Sequence, residues 1–359
     1  MPYPPFRHER IVEETPGEDN DICLLADLTG NGWLDVIIGG KYGEGNLCWY
    51  EAPTWTPHSI GSAYLEAGGV LLDVNGNGRL DLVAGEAIGG GSRRPGGGHE
   101  LYWFEQPVDP RLPWPRHVIE NGLHKYHDQA VGDVDGDGEP EIVIASQAAG
   151  IVAYYDIPAD LSGPRWPYTS RHIVADALSI EGLAVADLEG SGRNVIVAGT
   201  NVLAPPDRPG ERWSIRPFGD YVQPALRVGD LDGDGLPEVV AAEGESHPAR
   251  LGWFDPRSGE EHLLAEDLFH PHSLAVADMT GDGRPDIVVG EMGLGQWDNP
   301  RLLIYVNLGN GRFERVTVGE GVPTHNATVG DVNGNGRLDI VGKPYRPGRH
   351  VDIWWNTWG

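Results

Sequence analysis

Short runs of apolar residues, each ended by glycine, aspartate or asparagine, make up almost the whole chain. The runs are rich in Val, Ile, Trp and Tyr, which is the pattern of β-strands separated by tight turns. No long stretch of helix-favouring residues interrupts them. The pattern therefore predicts an all-β protein.

One unit of this pattern recurs along the chain: an apolar strand, an acidic glycine-containing loop and a second apolar strand. Most copies of the loop follow D-x-[D/N/T]-G-[D/N]-G-x-x-[D/E], and successive copies begin between 43 and 60 residues apart. The loops begin at Asp27, Asp73, Asp133, Asp187, Asp230, Asp278 and Asp331. This spacing is close to the length of a four-stranded propeller blade. The seven copies predict a seven-bladed β-propeller.

The two ends of the chain are predicted to share one blade. The last unit ends directly after its third strand, at Trp354–Asn356, and lacks a fourth strand. The segment RHERIV, residues 7–12, has the fourth-strand pattern but no blade of its own. We therefore expect a single domain over residues 1–359, in which the N-terminal strand completes the seventh blade. Closing the ring in this way covers sheet edges that favour aggregation.

These repeats resemble the FG-GAP, or VCBS, repeats of integrin α-subunit propellers and of many bacterial propellers. The resemblance covers essentially the whole chain, through the seven loops named above. It implies the propeller fold, but it selects no function, because such repeats serve adhesion, lectin and enzyme roles alike.

Composition narrows the choice of partner. The chain has 26 basic and 54 acidic residues, a formal net charge of −28, which argues against nucleic acid or an anionic membrane. No apolar run approaches the roughly 18 residues of a membrane span. The start, MPYPPFRHERIVEE, lacks the features of a signal peptide, and two cysteines provide no disulfide framework. We expect a cytoplasmic protein, or a secreted one if a signal was removed; the oligomeric state stays open.

The repeated loops are predicted calcium sites, because a tight turn brings oxygen ligands at positions 1, 3, 5 and 9 together. The first, second and seventh loops substitute Asn or Thr and should bind more weakly. The fourth loop, with Ser191 and Val195, should bind no ion. We expect the ions to be structural. The predicted ligands are Asp133, Asp135, Asp137 and Glu141; Asp230, Asp232, Asp234 and Glu238; and Asp278, Thr280, Asp282 and Asp286.

Function is expected where the repeat is broken, six residues before the first aspartate of each loop. This position is the start of the innermost strand, which lies at the mouth of the central channel in a propeller. Three histidines and two acids at seven equivalent positions predict a concave, titratable site. In chain order the seven residues are Asp21, Ala67, His127, Glu181, Pro224, His272 and His325.

Two chemistries suit this cluster. Imidazoles with a carboxylate bind zinc, manganese or a similar ion, and the candidate ligands are His127, His272, His325 and Asp21. Alternatively, side chains at the mouth act as acids and bases, and the catalytic candidates are His127, Tyr126, His270, Glu181 and Lys41. The sequence contains no serine elbow, phosphate loop or dinucleotide fingerprint. Proton abstraction next to a carbonyl, followed by β-elimination, needs only a base, an acid and charge stabilisation.

Three segments carry a closer resemblance: HDQAVGDVDGDG, PHSLAVADMTGDGRPDIVVGEM and THNATVGDVNGNG. They resemble a subgroup of these propellers, similar to the propeller domain of aldos-2-ulose dehydratases, which eliminate water from keto-sugars with metal help. The chain is more distantly similar to propeller polysaccharide lyases. The resemblance implies a metal or acid–base role for His127, His272 and His325. We expect a carbohydrate lyase or dehydratase acting on a keto-sugar or a uronate-containing saccharide. The alternative is a non-catalytic, calcium-stabilised propeller that binds a sugar or a protein.

Overall fold

The structure, a computed structural model, describes residues 6–87, 99–208 and 210–358. In these residues the strands form seven antiparallel, four-stranded sheets. One short 3-10 helix, Tyr168–Ser170, precedes a strand of the third sheet. The all-β, seven-bladed propeller predicted from the repeats is confirmed. Within the described residues, no helix is long and apolar enough to cross a membrane.

Six blades run from the innermost to the outermost strand in chain order. Blade 1 contains β2 (Glu18–Ala26), β3 (Asp35–Tyr42), β4 (Leu47–Glu51) and β5 (Thr56–Gly61). Blade 2 contains β6 (Val70–Leu72), β7 (Asp81–Gly85), β8 (Leu101–Phe104) and β9 (Arg116–Glu120). Blade 3 contains β10 (Tyr126–Gly132), β11 (Glu141–Ser146), β12 (Ile151–Tyr155) and β13 (Arg171–Ala175). Blade 4 contains β14 (Leu183–Ala186), β15 (Val195–Ala198), β16 (Asn201–Ala204) and β17 (Ser214–Pro217). Blade 5 contains β18 (Pro224–Gly229), β19 (Glu238–Glu243), β20 (Ala249–Asp255) and β21 (Glu260–Leu268). Blade 6 contains β22 (Ser273–Ala277), β23 (Asp286–Gly290), β24 (Arg301–Asn307) and β25 (Phe313–Glu320).

Blade 7 joins the two ends of the chain. It contains β26 (Asn326–Gly330), β27 (Asp339–Lys343), β28 (Val351–Asn356) and, as its outermost strand, β1 (Phe6–Val12). β1 and β28 are antiparallel, with His8 opposite Trp354. The ring of His8 stacks on Trp354 at 5.1 Å, and its Nε2 lies 2.8 Å from Asp352 Oδ1. The predicted closure by the N-terminal strand is confirmed.

The cores lie between neighbouring blades, so each second strand is buried on both faces. Val239 and Val240 in β19, for example, are fully buried. Histidines of the outermost strands cover the aromatic residues of the third strands: His262 stacks on Trp253 at 3.7 Å, and His117 stacks on Trp103 at 4.3 Å. These repeated histidines contribute to packing, which separates them from the histidines of the channel mouth.

Candidate functional site

A cavity of about 540 Å³ opens at the mouth of the central channel and takes side chains from all seven blades. Non-glycine residues in the left-handed region precede several of the innermost strands, including Lys125 at φ 55° and His270 at φ 43°. Such conformations are uncommon outside glycine and often occur at functional sites. Six of the seven strand-start residues line the cavity: Asp21, Ala67, His127, Glu181, His272 and His325.

Three of these residues form a group that could hold a metal ion. One ligand atom from each of His127, Glu181 and His272 lies within 4.8 Å of the others. His127 Nδ1 donates to Asp128 Oδ2 at 2.7 Å, and His272 Nδ1 donates to the carbonyl oxygen of His325 at 3.1 Å. Each neutral ring therefore keeps its lone pair on Nε2. Metal-binding histidines commonly donate their other ring N–H to a carboxylate or a carbonyl in this way.

The electrostatics of the group suit a cation. Burial lowers the pKa of His127, but Asp128, Glu181 and Glu66 outweigh burial and raise it to about 9. When no ion is bound, the His127 ring is therefore protonated on both nitrogens and positively charged at neutral pH. Its Nε2 lies 3.4 Å from Glu181 Oε1. Burial lowers the pKa of His272 to about 4, so its ring is neutral. Two imidazole nitrogens and one carboxylate are a donor set that fits a divalent transition ion.

His325 and Asp21 lie outside this group. His325 Nδ1 accepts a hydrogen bond from Lys343 Nζ at 2.9 Å, and Lys343 is fully buried. Asp21 Oδ2 lies 3.0 Å from Lys41 Nζ. The Nδ1 lone pair of His325 is thus used by Lys343, and the Asp21 carboxylate is paired with Lys41, so neither is available to a metal ion. The structure does not support the metal-ligand role predicted for His325 and Asp21, and it places Glu181 in the group instead.

Lys41 forms a cationic centre on the side of the mouth formed by blades 1 and 7. Its Nζ lies 3.0 Å from both Asp21 and Glu66, and it donates to the Tyr345 hydroxyl at 3.2 Å. Burial opposes the charge, but the two carboxylates outweigh burial and raise the pKa of Lys41 above its usual value. Burial and Asp21 raise the pKa of Tyr345 to about 12, although Lys41 opposes them. At neutral pH the mouth therefore presents an ammonium group beside a protonated phenol.

Two of the repeated loops also assemble groups that could hold a cation. These groups are Asp133, Asp135 and Glu141 in blade 3, and Asp230, Asp232 and Asp234 in blade 5. The first aspartate of each loop also holds the turn. Asp133, for example, accepts the backbone N–H groups of Gly136 at 2.7 Å and Gly138 at 3.1 Å. Turn formation and ion binding therefore depend on the same side chain.

Other predicted loop ligands are engaged in hydrogen bonds within the protein. Asp286 accepts the backbone N–H of Asn307 on Oδ1 at 2.8 Å and that of Met279 on Oδ2 at 2.9 Å. Glu238 Oε1 accepts Arg257 Nη2 at 2.9 Å. In the described residues, the clusters above do not include Asp137, Glu238, Asp278, Asp282 and Asp286. The calcium site of the sixth loop, with Thr280 among its ligands, stays a prediction.

Comparison with known proteins agrees with the repeat structure. The FG-GAP-like repeat family matches residues 27–84 and 230–289. The chain contains FG-GAP-like repeats. No curated protein matches the sequence. Among solved structures, rhamnogalacturonan lyase YesW is similar, with a TM-score of 0.54 and 14% identity over 99% of this chain and 76% of that chain. At this identity the similarity shows the propeller fold alone.

Two predicted catalytic residues of the FG-GAP-like propeller do not line the mouth cavity. Tyr126 is fully buried between blades 2 and 3, and its hydroxyl donates to the carbonyl oxygen of His99 at 3.2 Å. His270 lies in the loop before β22, with its ring packed edge-on against Phe269 at 4.7 Å. Its backbone carbonyl accepts the N–H of Met292. The structure gives these side chains a packing role and does not support their predicted catalytic role.

Two residues of the site, Asp128 and Glu245, were not predicted from the FG-GAP-like repeats. Asp128 follows His127 directly, and neighbours in a regular strand face opposite sides. The pairing of β10 with β11 shifts register between Tyr126 and Asp128, and this irregularity lets both side chains meet. Glu245, in the loop after β19, lines the mouth with its Oε1 3.5 Å from His272 Nε2. In the sequence, Asp128 could have been found because it directly follows His127. No feature of the sequence points to Glu245.

Proposed function

We propose that the protein is a carbon–oxygen lyase that acts on a saccharide by β-elimination at the channel mouth. The observation that carries this proposal is the group of His127, Glu181 and His272 in the same cavity as the Lys41–Tyr345 pair. A metal-competent group, a fixed cation and a phenol within one concave site match the needs of proton abstraction next to a carbonyl. The similarity to a rhamnogalacturonan lyase favours a saccharide as substrate, and we propose a keto-sugar or a uronate-containing saccharide.

The reaction breaks a C–H bond and a C–O bond on adjacent carbons and forms a C=C bond between them. A divalent ion bound by His127, Glu181 and His272 would draw electron density from the carbonyl or carboxylate next to the C–H bond. Glu245 is the proposed base, because its carboxylate is 40% exposed and lines the cavity. Tyr345 is the proposed acid, because it stays protonated at neutral pH and would give its proton to the leaving oxygen.

Lys41 is the proposed electrostatic group. Its ammonium group is held between Asp21 and Glu66, so Lys41 keeps its proton near neutral pH and does not act as a base. A fixed cation beside Tyr345 favours the phenolate that forms when Tyr345 gives up its proton. Positioned charge of this kind stabilises a transition state without reorganisation of solvent. Zinc or manganese is the ion proposed for the mouth, and calcium is proposed for the loops of blades 3 and 5 as a structural ion.

The first experiment measures metal content and turnover together. The purified protein is analysed for bound metals, and then incubated with keto-sugars and uronate-containing oligosaccharides while unsaturated products are followed by ultraviolet absorbance. We expect a transition ion in about one-to-one ratio and turnover that is lost in His127→Ala and His272→Ala. The matched control is His172→Ala, which changes a histidine of an outermost strand and should leave turnover unchanged.

The outcome separates the two candidate functions. Unchanged turnover in both mouth variants would refute the proposed site. Saccharide binding without any unsaturated product, in a protein that contains no transition ion, would favour a non-catalytic binding propeller. Loss of turnover in Glu245→Gln or Tyr345→Phe, with the transition ion still bound, would support the acid and base assignments.

A further inference from the structure

The central channel below the mouth contains a second cavity of about 430 Å³. Four residues line both cavities: Ala67, His127, Glu181 and His272. The metal-competent group therefore lies where the two cavities meet. A volume of this size lies within the range of small-molecule sites. The channel is therefore continuous with the proposed active site and large enough to receive part of a ligand.

Arg227 is the unusual residue of this cavity. It lies three residues before Asp230, on β18, and its side chain is solvent-exposed within the channel. The residues at the same position in the other six blades are small or neutral: Leu24, Val70, Ala130, Ala184, Ala275 and Thr328. Packing of the repeat therefore does not require a guanidinium here. Two acidic residues, Asp128 and Glu181, line this cavity. Among the described residues that line it, Arg227 is the one lysine or arginine.

The guanidinium of Arg227 is poorly paired. Its Nη1 donates to the carbonyl oxygen of Leu226 at 2.6 Å. Within the described part of the chain, no carboxylate lies within ion-pair distance of it, and Asp128 acts on it only at longer range. The side chain is open to the channel but enclosed by the walls of the ring, and this limited solvation lowers the pKa of Arg227. A guanidinium has five N–H donors in a fork that matches a carboxylate, and most of them are available here.

We propose that Arg227 binds a carboxylate of an acidic saccharide that reaches the channel through the mouth. This inference rests on the proposed function, and it selects a uronate-type substrate over a neutral keto-sugar. Pro224, at the start of β18, and Arg227 are three residues apart on this strand, which corresponds to about 10 Å. A sugar ring with its carboxylate between Arg227 and the group of His127, Glu181 and His272 would place the adjacent C–H bond beside that group.

Direct binding tests the inference without any turnover. Calorimetry on the full chain compares D-glucuronate, its neutral methyl ester and acetate. We expect D-glucuronate to bind more tightly than both. A charge-assisted hydrogen bond contributes enough that Arg227→Gln should weaken D-glucuronate binding about tenfold or more, while ester binding stays unchanged. Arg227→Lys keeps the charge but loses the fork, so its effect should be intermediate.

The control is Arg193→Gln, the same substitution on the exposed fourth loop, which should change nothing. Circular dichroism confirms that each variant is folded, and if Arg227→Gln is not folded, Arg227→Lys decides. No binding of D-glucuronate, equal binding of the ester, or full binding by the deciding variant would overturn the inference. Acetate that binds as tightly as D-glucuronate would show that the site takes a free carboxylate and would overturn the substrate assignment. Turnover without Arg227-dependent binding would leave the lyase standing, whereas Arg227-dependent binding without turnover would refute only the lyase.

Discussion

Asp128 is predicted to control metal binding at the mouth without being a ligand. Its Oδ2 accepts the Nδ1–H of His127 at 2.7 Å and the backbone N–H of Gly182 at 3.0 Å. In Asp128→Asn, an amide oxygen in the place of Oδ2 can still accept both N–H groups, but it carries no negative charge. The His127 ring then keeps its acceptor and loses its charged partner, while the side chain keeps its size.

The expected loss follows from this geometry. Removing an outer partner of a metal-binding histidine weakens metal affinity about 10- to 100-fold, or about 1.4 to 2.7 kcal/mol. The comparison needs a high pH, because Asp128 is also a cause of the raised pKa of His127, about 9. At pH 7 the substitution would reduce competition from the proton and would conceal part of the loss. At pH 9.5 the ring is mostly neutral in both proteins, so the measured loss of metal affinity reflects the loss of the charged partner.

The assay is competition for zinc between the protein and a chromophoric chelator at pH 9.5. The matched control is Asn326→Ala, which removes a polar side chain of β26 that donates to the carbonyl oxygen of Asp21. We expect a 10- to 100-fold weaker affinity for Asp128→Asn and a change of less than about threefold for the control. Equal affinity of Asp128→Asn and the wild type at this pH would refute the proposed arrangement of His127.

Three further predictions concern stability and the loops. Asp81→Ala leaves the buried N–H groups of Val74 and Gln106 without their acceptor, so it should lower the free energy of unfolding by about 2 to 6 kcal/mol. Urea unfolding measures this, and a loss below about 1 kcal/mol would contradict it. Burial raises the pKa of Asp81 to about 6, above its value of about 3.9 in an unfolded chain. Its stabilising contribution is therefore present below about pH 4 and lost as the pH rises through 6, so the stability difference between wild type and Asp81→Asn should be larger at pH 4.5 than at pH 7.5. Finally, Asp135→Asn should reduce the number of calcium ions bound by one, whereas Glu189→Gln in the fourth loop should not; calcium titration distinguishes them, and an equal count in both would remove the blade 3 site.

The fold was predictable because its information is local and repeated. Each unit contains its own strand pattern and turn, and seven units of similar length allow few architectures besides a propeller. The location of the mouth was also predictable, since equivalent positions in equivalent blades must lie on one ring. His127 and His272 could be identified in this way. His325 occupies the same ring position and was also predicted as a ligand, but it does not belong to the metal-competent group.

The composition of the group depends on geometry that no single repeat contains. β10 and β2 both shift register near their strand starts, around His127 and Asp21 respectively. Such irregularities redirect individual side chains, and the sequence pattern of a strand does not reveal them. The mouth is also narrow enough for His127 of blade 3 to face His272 of blade 6. Distance along the chain therefore says little about which side chains meet.

The loops show the same limit. Aspartate and glutamate at position 9 are equivalent in the sequence motif, but they differ by one methylene group in reach. Both carboxylate oxygens of Asp286 accept hydrogen bonds from backbone N–H groups, whereas Glu141 belongs to a group that could hold a cation. Neighbouring side chains matter as well, because Arg257 donates a hydrogen bond to Glu238 Oε1.

By itself, the sequence determined the all-β class, the number of blades, the closure of blade 7 by the N-terminal strand and the ring of positions at which the repeat is broken. Only the tertiary structure decided that Glu181 joins His127 and His272, that lysines engage Asp21 and His325, and that Arg227 stands nearly unpaired in the channel. The physical reason is that repeat patterns encode hydrogen bonding and burial within one blade. The distances that make a binding site arise between blades, when the closed ring brings side chains from different repeats to a common axis.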